Sequence, residues 1–170
     1  MAAVASVSTA HHMCPRAHSP QASNNNSPKP TQAHVGAGTF LPVTAERTEQ
    51  HHMHKEWGEV PQGAADAVNN TRRAGGRIVA IGTTALRMLE SASDTLGVVR
   101  PFRGDTDLFI PPGYRLKAVD LLLTNFHLPR SSLLMLVAAF GGHALIMDAY
   151  RDAVRREFRF YSYGDAMLIL

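Results

Sequence analysis

The sequence predicts an α/β fold, a mixed sheet with flanking helices, and three stretches carry that prediction. In the first, residues 77–81 (RIVAI) read as a short buried strand. Gly82, Thr83 and Thr84 follow at once, and then a run over 85–92 with Leu86, Leu89 and Ala92 on one helical face. In the second, residues 118–140 (AVDLLLTNFHLPRSSLLMLVAAF) set an apolar run ahead of Thr124, Asn125, Phe126 and His127. Pro129 and a further apolar run, opened by Ser131 and Ser132, come next. Proline cannot continue a strand ladder and serine can cap a helix, so this too reads as strand, polar loop, helix. In the third, apolar residues at 145, 146, 149, 150, 153 and 154 form a helical stripe, after which a turn leads into an apolar terminal strand.

Composition bounds the function. The chain has 170 residues, room for one ordinary domain, and its 45% apolar content is that of a globular protein. The formal net charge is +3, but residues 1–30 hold Arg16 and Lys29 and no acid, which leaves 15 basic and 14 acidic side chains for residues 31–170. The body is nearly neutral, so bulk charge lends little support to nucleic-acid binding. A single cysteine, Cys14, excludes an intrachain disulfide. No apolar run reaches the ~20 residues of a membrane helix. Residues 2–10 are small and apolar but lack the basic start and leucine-rich centre of a secretory signal.

Taken in order, residues 1–33 are rich in Ser, Asn, Pro, His and Ala and are expected to be a disordered tail, in which His11, His12 and His18 are solvated. Gly36 and Gly38 permit a tight bend or a close approach to a ligand. Residues 51–60 (HHMHKEWGEV) read as a strand that sets His52, His54 and Glu56 on one face. Such a set can bind a metal, act as an acid/base cluster, or line a polar cleft wall. Residues 62–74 are expected to form a helix closed by Gly75 and Gly76.

Gly82, Thr83 and Thr84 stand where a strand enters a helix, so their amides and hydroxyls can dock an anionic or polar group or simply cap the helix. Residues 94–104 read as a loop and 106–110 as a strand stopped by Pro111, Pro112 and Gly113. Tyr114, Arg115 and Lys117 follow, with Tyr114 either a stacking residue or a packed ring. Thr124, Asn125 and His127 fall at the carboxyl end of a strand, where ligands meet α/β sheets. Residues 133–140 are apolar enough to be buried on most sides. Arg151, Arg155 and Arg159, four apart, form either a phosphate-contacting ridge or a solvated face. Asp165 can place a carboxylate at the mouth of a site.

Five blocks in this order, VGAGTF (35–40), HHMHKEWGEV (51–60), GTTALRMLES (82–91), LLLTNFHLPRSSLLMLVAAF (121–140) and FYSYGDAMLIL (160–170), resemble the S-adenosylmethionine:tRNA ribosyltransferase-isomerases of queuosine biosynthesis. The resemblance covers residues 34–170. Met88, Lys55 and Ser132 are small departures. Family members are about twice as long, so the resemblance implies an incomplete catalytic core, the carboxyl-terminal half without the inserted all-β domain.

The resemblance implies transfer and isomerisation of the ribosyl part of S-adenosylmethionine onto 7-aminomethyl-7-deazaguanine at the tRNA wobble position. The product is epoxyqueuosine, with S-adenosylmethionine as co-substrate, no metal, no membrane and a cytoplasmic location. Beside it, the residues suggest roles by type. His127 is the first candidate acid/base, and His52 or His54 with Glu56 the second. Gly82, Thr83, Thr84, Asn125 and Asp165 suit the S-adenosylmethionine site, and Tyr114, Arg115 and Lys117 suit contact with tRNA. The alternatives are a non-catalytic remnant and a metal-binding protein built on His52, His54 and Glu56.

Overall fold

A computed structural model describes residues 2–9, 31–34, 53 and 55–170. Seven strands form one mixed sheet in the order β5-β3-β2-β1-β4-β6-β7. They are β1 (Ala2–Thr9), β2 (Thr31–His34), β3 (Glu56–Val60), β4 (Arg77–Ile81), β5 (Phe102–Thr106), β6 (Leu121–Asn125) and β7 (Ala166–Ile169). The helices are α1 (Gln62–Arg73), α2 (Thr83–Ser91), α3 (Ser132–Gly141) and α4 (His143–Arg155). The centre of the sheet is parallel, with β1 beside β2 and β4, and β4 beside β6. Antiparallel pairings add β3 and β5 on one side and β7 on the other. The α/β mixed sheet expected from the sequence is therefore the fold.

Local chemistry explains the elements read correctly. β4 alternates, burying Ile78 and Ala80 and turning Arg77 and Ile81 outward. α1 stops where Gly75 takes a positive φ and the Gly76 N–H returns to the Thr71 carbonyl. Ser131 caps α3 by accepting the Leu134 N–H at 3.1 Å, and none of residues 132–140 is exposed. α2 is the pivot of the core. It packs against β1 through β6 and is buried from Ala85 to Glu90. Its approach to β3 depends on Gly58, where a Cβ would lie 2.0 Å from the Met88 sulfur.

Four expectations need correction. The front of the chain is not wholly a tail, because β1 and β2 occupy the middle of the sheet, β1 in register with β4 from Ala2 opposite Arg77 to Ser6 opposite Ile81. Backbone pairing with a distant strand orders a segment whose composition offers little to a core; residues 10–30 lie outside the described residues.

The strand expected at 106–110 lies instead at Phe102–Thr106, where it pairs with β3. The apolar residues that suggested it leave the ladder. The Leu108 N–H donates to the Thr106 hydroxyl, the Leu108 carbonyl accepts from Arg87, and Ile110 is buried. Of the strand expected over 51–60, Glu56–Val60 is a strand and Met53 and Lys55 lie outside it; residues 51, 52 and 54 are outside the described residues. The stripe on α4 is wider than its contact with α3, so Ile146 and Ala153 are buried while Leu145, Ala149 and Val154 are exposed.

Candidate active site at the carboxyl ends of β4 and β6

The carboxyl ends of β4 and β6 lie side by side, with Ile81 opposite Leu123. The chain leaves β4 through Gly82 at φ 90° and ψ 149°, a conformation that only glycine adopts without strain. The Gly82 N–H donates to the Leu123 carbonyl at 2.8 Å, which ties the two strand ends together. Thr83 then opens α2. Gly82 is the residue at the cap position, so the hydroxyls of Thr83 and Thr84 do not occupy it, and among the described residues no side chain caps the helix. The first-turn amides have no intrahelical acceptor and carry the positive end of the helix dipole.

At the end of β6 Thr124 is buried and Asn125 is exposed, and His127, two residues past the strand, is 7% exposed. The Thr124 hydroxyl and His127 Nε2 are 2.9 Å apart, and the His127 backbone N–H donates to the Tyr150 hydroxyl at 2.7 Å. Burial pushes the imidazole down to about 4, so it is neutral at pH 7. Tyr150, pushed up to about 12 by burial, remains a phenol. β7 runs antiparallel to β6 and sets Ala166 opposite Asn125, so Asp165 begins beside this end of the sheet. Asp165 is already engaged: its carboxylate accepts the Arg159 backbone N–H at 2.6 Å and pairs with the guanidinium at 3.3 Å. Those bonds, the backbone one first, hold it below the usual carboxylate range.

Gly82, Thr83, Thr84, Asn125, His127 and Asp165 are thus brought to one end of the sheet. Other sequence candidates are not. Glu56, 1% exposed, is buried against Arg87, with Nη1 2.7 Å from Oε2. Burial pushes its carboxyl up against the pull of the guanidinium. It is committed to an ion pair one turn into α2 rather than to an open cleft wall. His52 and His54 lie outside the described residues, as do Gly36 and Gly38.

Tyr114 and Lys117 meet the last turn of α2. The Tyr114 hydroxyl donates to Glu90 at 3.3 Å, and the Lys117 ammonium donates to the carbonyls of Glu90 and Ser93 at 3.0 Å each. Burial, with Glu90 adding to it, pushes Tyr114 up to about 12. Arg115 is exposed. The ridge of Arg151, Arg155 and Arg159 is met by Asp148, Asp152 and Asp165 in turn, which removes its bare positive charge.

Three structural roles escaped the sequence reading. Arg87 and Glu90 sit on a helix buried on all sides, and charged residues inside so apolar a run were the available signal. Tyr150 looked like one more member of the α4 stripe and carried no signal of its own.

A family model described as "Queuosine biosynthesis protein" matches residues 1–169. The chain belongs to that family. It is 62% identical over 136 residues to the S-adenosylmethionine:tRNA ribosyltransferase-isomerase of Parvibaculum lavamentivorans, covering 80% of this chain and 39% of that protein. The counterpart of Rhizorhabdus wittichii is 51% identical over 168 residues, covering 99% of this chain and 49% of the other. Among solved structures, the S-adenosylmethionine tRNA ribosyltransferase of Thermotoga maritima matches with a TM-score of 0.67 and 46% identity, over 84% of this chain and 44% of that one.

The chain therefore spans 39% to 49% of the length of these relatives. The family match begins at residue 1, ahead of the resemblance read from residue 34 onward. Among the described residues no single helix is long and apolar enough to cross a membrane.

Proposed function

We propose that the chain carries the S-adenosylmethionine-handling part of a tRNA ribosyltransferase-isomerase. The reaction is transfer and isomerisation of the ribosyl moiety of S-adenosylmethionine onto 7-aminomethyl-7-deazaguanine at the wobble position of a cytoplasmic tRNA, giving epoxyqueuosine. The observation that carries this reading is the side-by-side exit of β4 and β6, tied by the 2.8 Å bond from Gly82 to Leu123, with a helix start lacking a side-chain cap after one strand and a neutral buried histidine just past the other.

Each part of the chemistry has a residue suited to it. The α2 amides, with Thr83 and Thr84, receive the methionine carboxylate or the ribose hydroxyls. Asn125, exposed beside them, donates to and accepts from the adenine or the sugar. His127, neutral across the physiological range, takes the proton from the 5′ carbon next to the sulfonium and can return it to the departing adenine. The sulfonium itself activates that carbon, so the reading needs no metal. Asp165 acts through Arg159, fixing the turn that closes this side of the site.

Exchange of the 5′ hydrogens of bound S-adenosylmethionine with deuterated water tests the base without requiring the whole reaction. The chain is expected to catalyse that exchange. His127→Gln is expected to slow it by at least about a hundredfold while S-adenosylmethionine still binds. Equal exchange by the variant and the parent chain would remove His127 from the mechanism.

A further inference from the structure

Residues 155–163 (RREFRFYSY), from the last residue of α4 toward β7, interleave three arginines with four aromatic rings. The inner rings anchor the turn to the end of β6. Phe126, buried, has its centroid 5.1 Å from Phe160, 5.3 Å from Tyr150 and 5.8 Å from Phe158. Backbone bonds fix the same segment. The Tyr161 N–H donates to the Phe126 carbonyl at 2.7 Å, and the Tyr163 N–H donates to the Phe160 carbonyl at 3.2 Å. The outer rings face solvent, with Tyr163 74% and Phe158 41% exposed. Exposed Arg130 and Leu128 lie on the loop that leaves His127.

We propose that this turn is a stacking surface for unpaired bases of a tRNA, with the Tyr163 ring as its outermost platform. The inference rests on the tRNA reading above and deepens it, because the turn begins within hydrogen-bonding distance of the strand end that carries Asn125 and His127. Exposed aromatic faces on a fixed backbone, interleaved in sequence with arginines, suit stacked bases, and the place of the turn beside the candidate site selects bases over a protein partner. The local charge is balanced: Arg155 and Arg156 share Asp152, Arg159 pairs with Asp165, and Glu157 supplies a third carboxylate. Stacking rather than phosphate neutralisation therefore supplies the affinity, and the contribution of Tyr163 is insensitive to salt and tolerant of base identity.

The test compares an anticodon stem-loop RNA with a fully paired duplex of the same stem, by fluorescence anisotropy, alongside S-adenosylmethionine titrations and sedimentation. Tyr163→Ala is expected to weaken stem-loop binding on the order of tenfold and Tyr163→Phe to preserve it, with the salt slope and duplex binding unchanged in both. A parent chain that binds S-adenosylmethionine and the stem-loop, with Tyr163→Ala binding the stem-loop equally well, overturns the inference and leaves the proposed function standing. A parent chain that binds neither overturns both. A change in oligomeric state in Tyr163→Ala, with stem-loop affinity intact, makes the surface a protein contact and also overturns the inference.

Discussion

At its last turn, α2 presents Glu90, fully buried, whose carboxylate accepts the backbone N–H groups of Lys117 and Ala118 at 3.0 and 2.8 Å and the hydroxyl of Tyr114. At its first turn, about 10 Å away along the helix axis, Thr83 and Thr84 stand at a helix start that no side chain among the described residues caps. Both ends are dense in polar groups, and the sequence nominates residues at both. The difference lies in what has been spent. Around Glu90 the donors and acceptors satisfy one another and fasten the segment ahead of β6 to the helix. Around Gly82 the first-turn amides of α2 meet no side-chain cap among the described residues. Unspent hydrogen-bonding capacity, rather than polarity itself, separates a binding site from a structural clasp.

The clasp should dominate stability and leave ligand binding untouched. Glu90→Ala strands the N–H groups of Lys117 and Ala118 inside the protein, and the expected loss is about 3 kcal/mol or more by urea unfolding. S-adenosylmethionine affinity should not change in any fraction that remains folded. A loss below about 1 kcal/mol would show that the last turn of α2 does not depend on this carboxylate.

His127 sharpens the comparison through pH. Unfolded, its imidazole takes a proton near 6.5; folded, it resists until about 4. Between those values the unfolded state binds more protons, so stability is full above pH 6.5 and falls as the pH drops toward 4, by roughly 3 kcal/mol in all. His127→Gln should abolish that part of the acid slope, read as the difference between parent and variant in unfolding midpoints at neutral and acid pH. Parallel slopes in the two proteins would mean that the folded histidine titrates normally.

Elements set by local pattern were legible in the sequence. β4, β6, α1 and α3 follow from alternation, apolar runs and the stops written into Gly75, Pro129 and Ser131. β1 and β2 were not legible, since nothing in AAVASVST distinguishes a tail from a strand until β4 lies beside it in register. The site was legible in part for the same reason. Gly82, Thr83 and Thr84, like Asn125 and His127, mark strand exits, which are local features. The pairing that takes Glu56 out of any open cleft spans 31 residues of chain, and the bond from Lys117 to Glu90 spans 27. Such cross-chain partners leave no periodic trace. At Glu56, Tyr114 and Lys117 these partners, which no local pattern shows, set what each side chain touches.

On the proposed function, the first turn of α2 holds ligand and its last turn does not. Calorimetric titration of S-adenosylmethionine into the chain and into Thr83→Val/Thr84→Val tests it most directly, with an unfolding curve for each protein. Since neither hydroxyl caps the helix, the double variant should unfold within about 0.5 kcal/mol of the parent while binding S-adenosylmethionine on the order of tenfold more weakly. Unchanged affinity, accompanied by a loss of about 1 kcal/mol of stability for each threonine, would make them helix caps and contradict the account.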